Sequence, residues 1–134
     1  MTTRDLVKSY VPFCAQDMVA QIQQFFHQPL RNQWLRTTDN LFALYARKSH
    51  RSFEVAGEYQ LLSTLDLASM EVDEQWRGYG IFTSVLTELR RQNQHHLYVE
   101  SVLNPRLLDF LLRQGFTQQG DPVAPDAYLL CTAL

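Results

Sequence analysis

Apolar residues recur at helical spacing in three segments of the chain, and each segment predicts an amphipathic helix. The first helix spans residues 16–27, and the second follows Gly80. The third begins at Asn104-Pro105, an N-cap with proline in the first turn, and closes at Gly115. The apolar positions that define the three helices are Met18, Val19, Ile22, Phe25 and Phe26, then Phe82, Val85, Leu86 and Leu89, then Leu107, Leu108, Leu111 and Leu112.

Strand-like runs alternate with these helices. Residues 65–72 are almost continuously small or apolar, which is typical of a strand buried on both faces. Residues 97–102 predict a second central strand. A turn is expected at residues 56–58, and a short helix is expected around residues 30–34. Further strands are predicted at residues 41–47, 116–119 and 128–134.

Composition and element order together predict the fold class. The order is a helical N-terminal part, three strands, a helix, a strand, a helix and two strands, which favours an α/β arrangement of a mixed sheet flanked by helices. A chain of 134 residues with 46% hydrophobic and 19% charged residues fits one domain, residues 1–134.

Charge and hydropathy exclude some classes of partner. The chain has 12 basic and 14 acidic residues and a net charge of -2, so no basic field favours nucleic acid. A membrane span needs about 20 consecutive apolar residues, and no such run is present. The N-terminus lacks the apolar core of a signal peptide, so a cytoplasmic location is expected.

Residues 72–82 carry the strongest chemical signal. Gly78 and Gly80 lie between a predicted buried strand and a predicted helix. Two glycines at such a turn allow the backbone to approach an anion closely and to direct its N–H groups at it. The pattern is typical of phosphate binding, although glycines also occur in ordinary turns.

In its context, this turn resembles a motif of the GCN5-related N-acetyltransferases, V-x-x-x-(Y)-R-G-x-G-(I). A looser pattern of the same family also fits, through Gln75. A second landmark is an asparagine that opens the helix after the next strand, closed by a Gly-Phe pair; Asn104 and Gly115-Phe116 match it. The likeness covers roughly residues 40–134. The motif positions are held by Val72, Trp76, Arg77, Gly78, Gly80 and Ile81, while Phe82 replaces the family's last glycine.

The resemblance implies a fold, an activity and a cofactor site. The fold would be a mixed, mostly antiparallel central sheet with two splayed central strands, flanked by helices. The activity would be transfer of an acetyl group from acetyl-CoA to a primary amine of a small molecule or a protein. Strand backbone would hold the pantetheine arm, and the amides of residues 77–83 would bind the pyrophosphate. The implied cofactor-binding residues are Met70, Glu71, Val72, Arg77, Gly78, Tyr79, Gly80, Ile81, Phe82, Thr83 and Asn104.

Three acids are candidates for the catalytic base. Asp66 lies in a strand that is expected to be buried, eleven residues before Arg77, where several family members place a catalytic glutamate. A partly desolvated carboxylate can accept a proton near neutral pH. The alternative is a structural salt bridge from Asp66 to Arg47 or Arg51. Glu71 and Glu100, on the two strands expected to splay, are the other candidates.

The acid that protonates the leaving thiolate is harder to assign. The family's usual tyrosine is replaced by Leu111, which carries no proton to donate. Tyr79, Tyr98, Tyr128 or water would take its place, and Tyr128 is the first residue to test. This replacement and Phe82 favour an alternative function, that of a catalytically weak CoA-binding or protein-interaction module.

The acceptor is left open by the sequence. Basic residues in the N-terminal half predict either a site for an acidic or phosphorylated acceptor or a solvated basic face. The histidines lack metal-ligand spacing, so no metal site is predicted. The expected partners are acetyl-CoA and the amine acceptor, and a homodimer is possible. The basic residues concerned are Arg31, Arg36, Arg47, Lys48 and Arg51.

Overall fold

A computed structural model describes residues 3–38 and 40–131, with side chains from residue 15 onward. Within these residues no helix is long and apolar enough to cross a membrane. A single 3₁₀ turn, Glu74–Trp76, precedes the second helix. In chain order the elements are α1 (Thr3–Phe26), β1 (Asn32–Arg36), β2 (Phe42–Val55), β3 (Glu58–Val72), α2 (Ile81–Gln92), β4 (His96–Val99), α3 (Pro105–Arg113), β5 (Thr117–Gln119) and β6 (Asp126–Leu129).

The six described strands form one sheet in the order β1-β2-β3-β4-β6-β5. Only β3 and β4 are parallel, and α2 is the crossover between them. Every other neighbouring pair is antiparallel. The predicted fold class, a mixed and mostly antiparallel sheet flanked by helices, is therefore confirmed.

The three described helices share one apolar core with one face of the sheet. Helices α1 and α2 pack against each other. Leu111 of α3 is completely buried in the same core. Side chains alternate along a strand, so the residues between the core positions point to the opposite face. The core positions on the central strands are Leu65, Leu67, Leu97 and Val99.

The prediction of a short helix at residues 30–34 is wrong, because Asn32–Arg36 forms an edge strand that pairs with Arg47–Ala43 of β2. Leu35 is buried and Trp34 is 41% exposed, which is the alternation of a strand. Five residues are too few to display that period in the sequence. The pairing with β2, which is distant along the chain, determines the conformation.

Other element boundaries also differ from the sequence expectations. Helix α1 begins at Thr3 rather than at residue 16. Strand β4 ends at Val99 rather than at residue 102, because the backbone turns at Ser101, where φ is 49°. Strand β6 spans Asp126–Leu129 rather than residues 128–134, of which residues 132–134 lie outside the described part.

Strands β2 and β3 form a long hairpin around Ala56-Gly57. Both residues have left-handed backbone, with φ of 53° and 84°. This is the conformation of the two-residue turns that match strand twist, and it confirms the turn predicted at residues 56–58.

Candidate functional site

Strands β3 and β4 separate after a short parallel pairing. They pair only from Thr64↔His96 to Asp66↔Tyr98. Beyond Asp66, β3 continues to Val72, whereas β4 ends at Val99 against β6. The predicted splay of the central strands is thus present, and residues 67–72 of β3 leave a free edge. Backbone N–H and C=O groups at such an edge can pair with an extended, amide-bearing ligand.

A β-bulge accounts for the separation. Tyr45 of β2 pairs with Ser69 of β3, but the next residue, Ala46, pairs with Leu67, so Ala68 is the extra residue. A bulge bends its strand and increases the local twist. Since Ala68 lies two residues beyond Asp66, the bend directs β3 away from β4 just past the last parallel pair.

The turn after β3 has the geometry of an anion cradle. Gly78 and Gly80 have φ of 83° and 78°, and nothing lies within 4 Å of the position that a Cβ would take on either residue. The first backbone hydrogen bond of α2 runs from Ser84 N to Gly80 O, at 2.9 Å. The N–H groups of residues 81–83 therefore have no acceptor within the helix, and the helix dipole adds positive potential. A cavity of about 250 Å³ opens here, lined by Val72, Trp76, Arg77, Gly78, Gly80, Ile81, Phe82 and Thr83.

Hydrogen bonds attach the cradle to the end of β3. The Asp73 carboxylate accepts from Gln75 N at 3.2 Å and caps the 3₁₀ turn. Arg77 Nε donates to Val72 O, also at 3.2 Å, so its guanidinium remains at the cavity. The cradle is therefore fixed relative to the free edge of β3, which a ligand that spans both would require.

Phe82 occupies the position of the family's last glycine. Its ring centroid lies 6.4 Å from that of Phe42 and 6.1 Å from that of Phe110. Phe82 therefore links β2, α2 and α3 at the cradle. Leu111, at the position of the usual acid tyrosine, is completely buried in the core.

A polar cluster occupies the opposite face of the sheet, at the closed end of the gap. Asp66 is 1% exposed. One carboxylate oxygen accepts from Ser49 Oγ at 2.6 Å and from Arg51 Nη2 at 2.8 Å, and the other accepts from Thr64 Oγ1 at 2.7 Å. The salt bridge to Arg51, one of the two alternatives for Asp66, is present. A catalytic role for Asp66 stays a prediction.

Glu100 lies beside this cluster, directly after β4. Its Oε1 accepts from Arg47 Nη1 at 3.0 Å and from Arg51 Nη2, and its side chain is 39% exposed. Burial would lower the pKa of Arg51, but the hydrogen bond and charge of Asp66, followed by those of Glu100, raise it. Arg51 thus stays charged and holds both carboxylates.

Tyr98 is enclosed by the same cluster. The Arg51 guanidinium lies 3.7 Å from the centre of its ring. The Tyr98 hydroxyl donates to Asp126 and accepts from Gln119 Nε2 at 3.0 Å. Burial and the bond to Asp126 raise the pKa of Tyr98. Tyr98 was one of the tyrosines considered as the acid that protonates the thiolate. Its hydroxyl and its ring are both engaged in contacts within the protein.

The other predicted site residues are not brought together at one place. Glu71 is exposed beside the cradle, about 16 Å along β3 from Asp66 at about 3.3 Å per residue. Tyr128 pairs with Tyr98 on the side away from β3, and its ring packs on Phe53 at 4.7 Å. Asn104 accepts from Arg106 N at 3.0 Å, which confirms its role as helix cap. The catalytic and cofactor-binding roles of these residues stay predictions.

The sequence interpretation missed Ser49 and Thr64 as partners of Asp66, and it missed the bulge at Ala68. A signal for the first was present: Arg47, Ser49 and Arg51 recur at every second position, which places polar groups on one face of β2. In the part of the chain that the structure describes, no group of three or more His, Cys, Asp or Glu side chains could hold a metal ion.

Comparison with known proteins gives a likeness to solved structures. No family model matches the sequence, and no curated protein matches it. Among solved structures, the chain is similar to a mutant of the toxin AtaT bound to the C-terminus of the antitoxin AtaR and acetyl-CoA, with a TM-score of 0.45 and 19% sequence identity. The likeness covers 65% of this chain and 58% of that chain. The chain thus spans less than two thirds of the AtaT chain.

Proposed function

We propose that the chain is an N-acetyltransferase that uses acetyl-CoA to acetylate a primary amine. The observation that carries the proposal is the position of the cradle at the open end of the β3–β4 gap. The N–H groups of residues 81–83 have no acceptor within α2, and Gly78 and Gly80 leave the space beside them open to an approaching anion. The residues present fit a pyrophosphate group followed by an extended amide-bearing arm.

In this proposal each part of the site has one binding task. Backbone amides of residues 77–83, with Arg77, bind the pyrophosphate. Backbone groups of Met70, Glu71 and Val72 align the pantetheine arm along the free edge of β3, and Asn104 at the start of α3 contacts it. Acetyl-CoA supplies an acetyl group activated as a thioester. With the pyrophosphate at the cradle, the thioester would be held at the other end of the arm, on the side of Asp66 and Glu100.

We assign Glu100 as the general base that removes a proton from the amine. Asp66 accepts three hydrogen bonds and is almost completely buried, so its oxygens are already engaged. Glu71 lies at the cradle end of the gap. Glu100 lies at the closed end with its side chain partly open to solvent, so it can receive a proton directly or through water. Asp66 then acts as a positioning residue, because it holds Arg51, which holds Glu100.

A second candidate function is a catalytically weak module that binds CoA or a protein. Phe82 favours it, since a ring packed between Phe42 and Phe110 narrows the approach to the cradle. Leu111 favours it too, because no hydroxyl is present at that position of α3.

Release of CoA thiol in the presence of different amines tests the proposed function. The purified chain is incubated with acetyl-CoA and a panel of alkyl, amino-acid and peptide amines, and thiol release is compared with reactions that lack the amine. We expect release to depend on an amine, with the N-acetyl product identified by mass spectrometry. Acetyl-CoA binding without release for any amine would instead support the weak module.

A further inference from the structure

A second cavity lies at the outer edge of β2, where β1 stops. Strand β1 pairs with β2 as far as Asn32↔Arg47, and one further backbone hydrogen bond runs from Lys48 N to Arg31 O at 2.8 Å. The resulting cavity has a volume of about 640 Å³, compared with about 250 Å³ for the cradle. Its lining carries no acidic side chain: Pro29, Leu30, Arg31, Asn32, Arg47, Lys48, Ser49 and His50.

This cavity holds uncompensated positive charge. The two acids next to it, Asp66 and Glu100, are matched by Arg51 and Arg47. Among the described residues, no carboxylate lies within ion-pair distance of Arg31 or Lys48. Arg31 and Lys48 therefore line the cavity without a carboxylate partner among the described residues.

Lys48 is fixed in place although it has no ion pair. Its ammonium donates to Gln28 O at 2.6 Å and lies 4.5 Å from the centre of the Phe25 ring. Both contacts orient the side chain and leave its charge unneutralised. Arg31 is exposed, and a guanidinium presents several donors that match carboxylate or phosphate oxygens.

We propose that this cavity binds the anionic end of the acceptor, so that the substrate is a small amine bearing a phosphate or carboxylate. The inference rests on the proposed acetyl transfer for the role of the amine. A volume of about 640 Å³ lies within the range of small-molecule sites, about 300–1,000 Å³, and favours a small molecule over a protein.

The sheet sets the distance between the two ends of the acceptor. Arg47, Asp66 and Tyr98 are successive Cα partners across β2, β3 and β4. With strands about 4.8 Å apart, the outer edge of β2 lies about 10 Å from the closed end of the β3–β4 gap. Arg47 lines the cavity and also donates to Glu100 at 3.0 Å, so one side chain links the two sites. An amine separated from its anionic group by about six carbons spans this distance.

Three matched acceptors test the proposal: 6-aminohexyl phosphate, 6-aminohexanoate and the neutral 6-aminohexanol. With acetyl-CoA present, kcat/KM is expected to be about tenfold or more higher for an anionic acceptor than for the alcohol, which corresponds to one or two charge-assisted hydrogen bonds. The phosphate and carboxylate compounds distinguish the two kinds of anion. Equal kcat/KM for all three would overturn the proposal.

Reversing a charge at the cavity gives a second test of the proposal. Arg31→Glu is expected to remove the preference for anions, whereas Arg36→Glu should preserve it. Arg36 is a matched control because it is exposed at the far end of β1, the strand that follows Arg31, does not line the cavity and lies 5.5 Å from the centre of the Trp34 ring. An anion preference that persists in Arg31→Glu would contradict the proposal.

Calorimetric binding of 6-aminohexyl phosphate in the absence of acetyl-CoA separates this proposal from the proposed function. If the phosphate compound binds the wild type and binds Arg31→Glu at least tenfold more weakly, the anion cavity stands even where acetyl-CoA neither binds nor reacts. If amines are acetylated but the phosphate compound does not bind better than the alcohol, the acetyltransferase stands and the anion cavity fails.

Discussion

Replacing Glu100 with glutamine is expected to lower kcat about 100-fold while acetyl-CoA affinity stays within about twofold, since a general base contributes roughly 10²–10⁴ in rate. Glutamine keeps an oxygen that can accept from Arg47 and Arg51, so the local structure is preserved. It does not accept the proton of the amine. Steady-state kinetics on a reactive amine, with acetyl-CoA binding measured separately, give both quantities.

The matched variant for this experiment is Glu71→Gln. Glu71 lies on the same strand as Asp66 but beside the cradle. The kcat of Glu71→Gln is therefore expected to stay within about threefold of wild type, a change much smaller than the loss of a general base would cause. Full turnover in Glu100→Gln together with a large loss in Glu71→Gln would show that the base has been assigned to the wrong end of the gap.

Asp66→Ala is expected to lower the free energy of unfolding by about 3 kcal/mol, because it removes one partner of a buried ion pair. Three donors lose their acceptor: Ser49 Oγ, Thr64 Oγ1 and Arg51 Nη2. Of its two carboxylate partners, Arg51 then retains only Glu100, whose side chain is partly exposed. Urea unfolding followed by circular dichroism at pH 7 measures the difference.

Asp109→Ala is the control for Asp66→Ala. Asp109 also pairs with an arginine, Arg113, at 3.4 Å, but both side chains are about 70% exposed. Exposed pairs contribute less than about 1 kcal/mol, so the control is expected to unfold like the wild type. A loss for Asp66→Ala no larger than that of the control would contradict the positioning role. Loss of turnover in Asp66→Asn at full stability would instead support catalysis by Asp66 itself.

Local signals in the sequence predicted the elements that local chemistry determines. Asn104-Pro105 and Gly115 marked the ends of α3, and the cap at Asn104 is present. Gly78 and Gly80 marked a turn that needs left-handed backbone, which only glycine adopts at little cost. The apolar stripe of α2 placed Val85, Leu86 and Leu89 in the core.

Features created by distant pairing were not predictable in the same way. Strand β1 exists because Asn32–Arg36 meets β2, and five residues carry too little pattern to show it. The bulge at Ala68 depends on a one-residue shift between two long strands. The sequence narrowed the ion-pair partner of Asp66 to Arg47 or Arg51. Arg47 is its Cα partner across β2 and β3, but the salt bridge is to Arg51 and Arg47 binds Glu100, an arrangement that only the three-dimensional structure shows. The cavity at Arg31 and Lys48 likewise forms from two segments that the fold brings together.

Calorimetric titration of the wild type, Gly80→Ala and Gly57→Ala with acetyl-CoA tests the central claim most directly. Both glycines have left-handed backbone with open space at the Cβ position, so both variants carry a similar strain of about 1–2 kcal/mol, but Gly57 lies at the tip of the β2–β3 hairpin. We expect saturable binding to the wild type and to Gly57→Ala, and at least tenfold weaker binding to Gly80→Ala, whose methyl group enters the cradle. Absence of binding to the wild type at millimolar acetyl-CoA, or equal binding to all three proteins, would contradict the assignment of residues 77–83 as the pyrophosphate site.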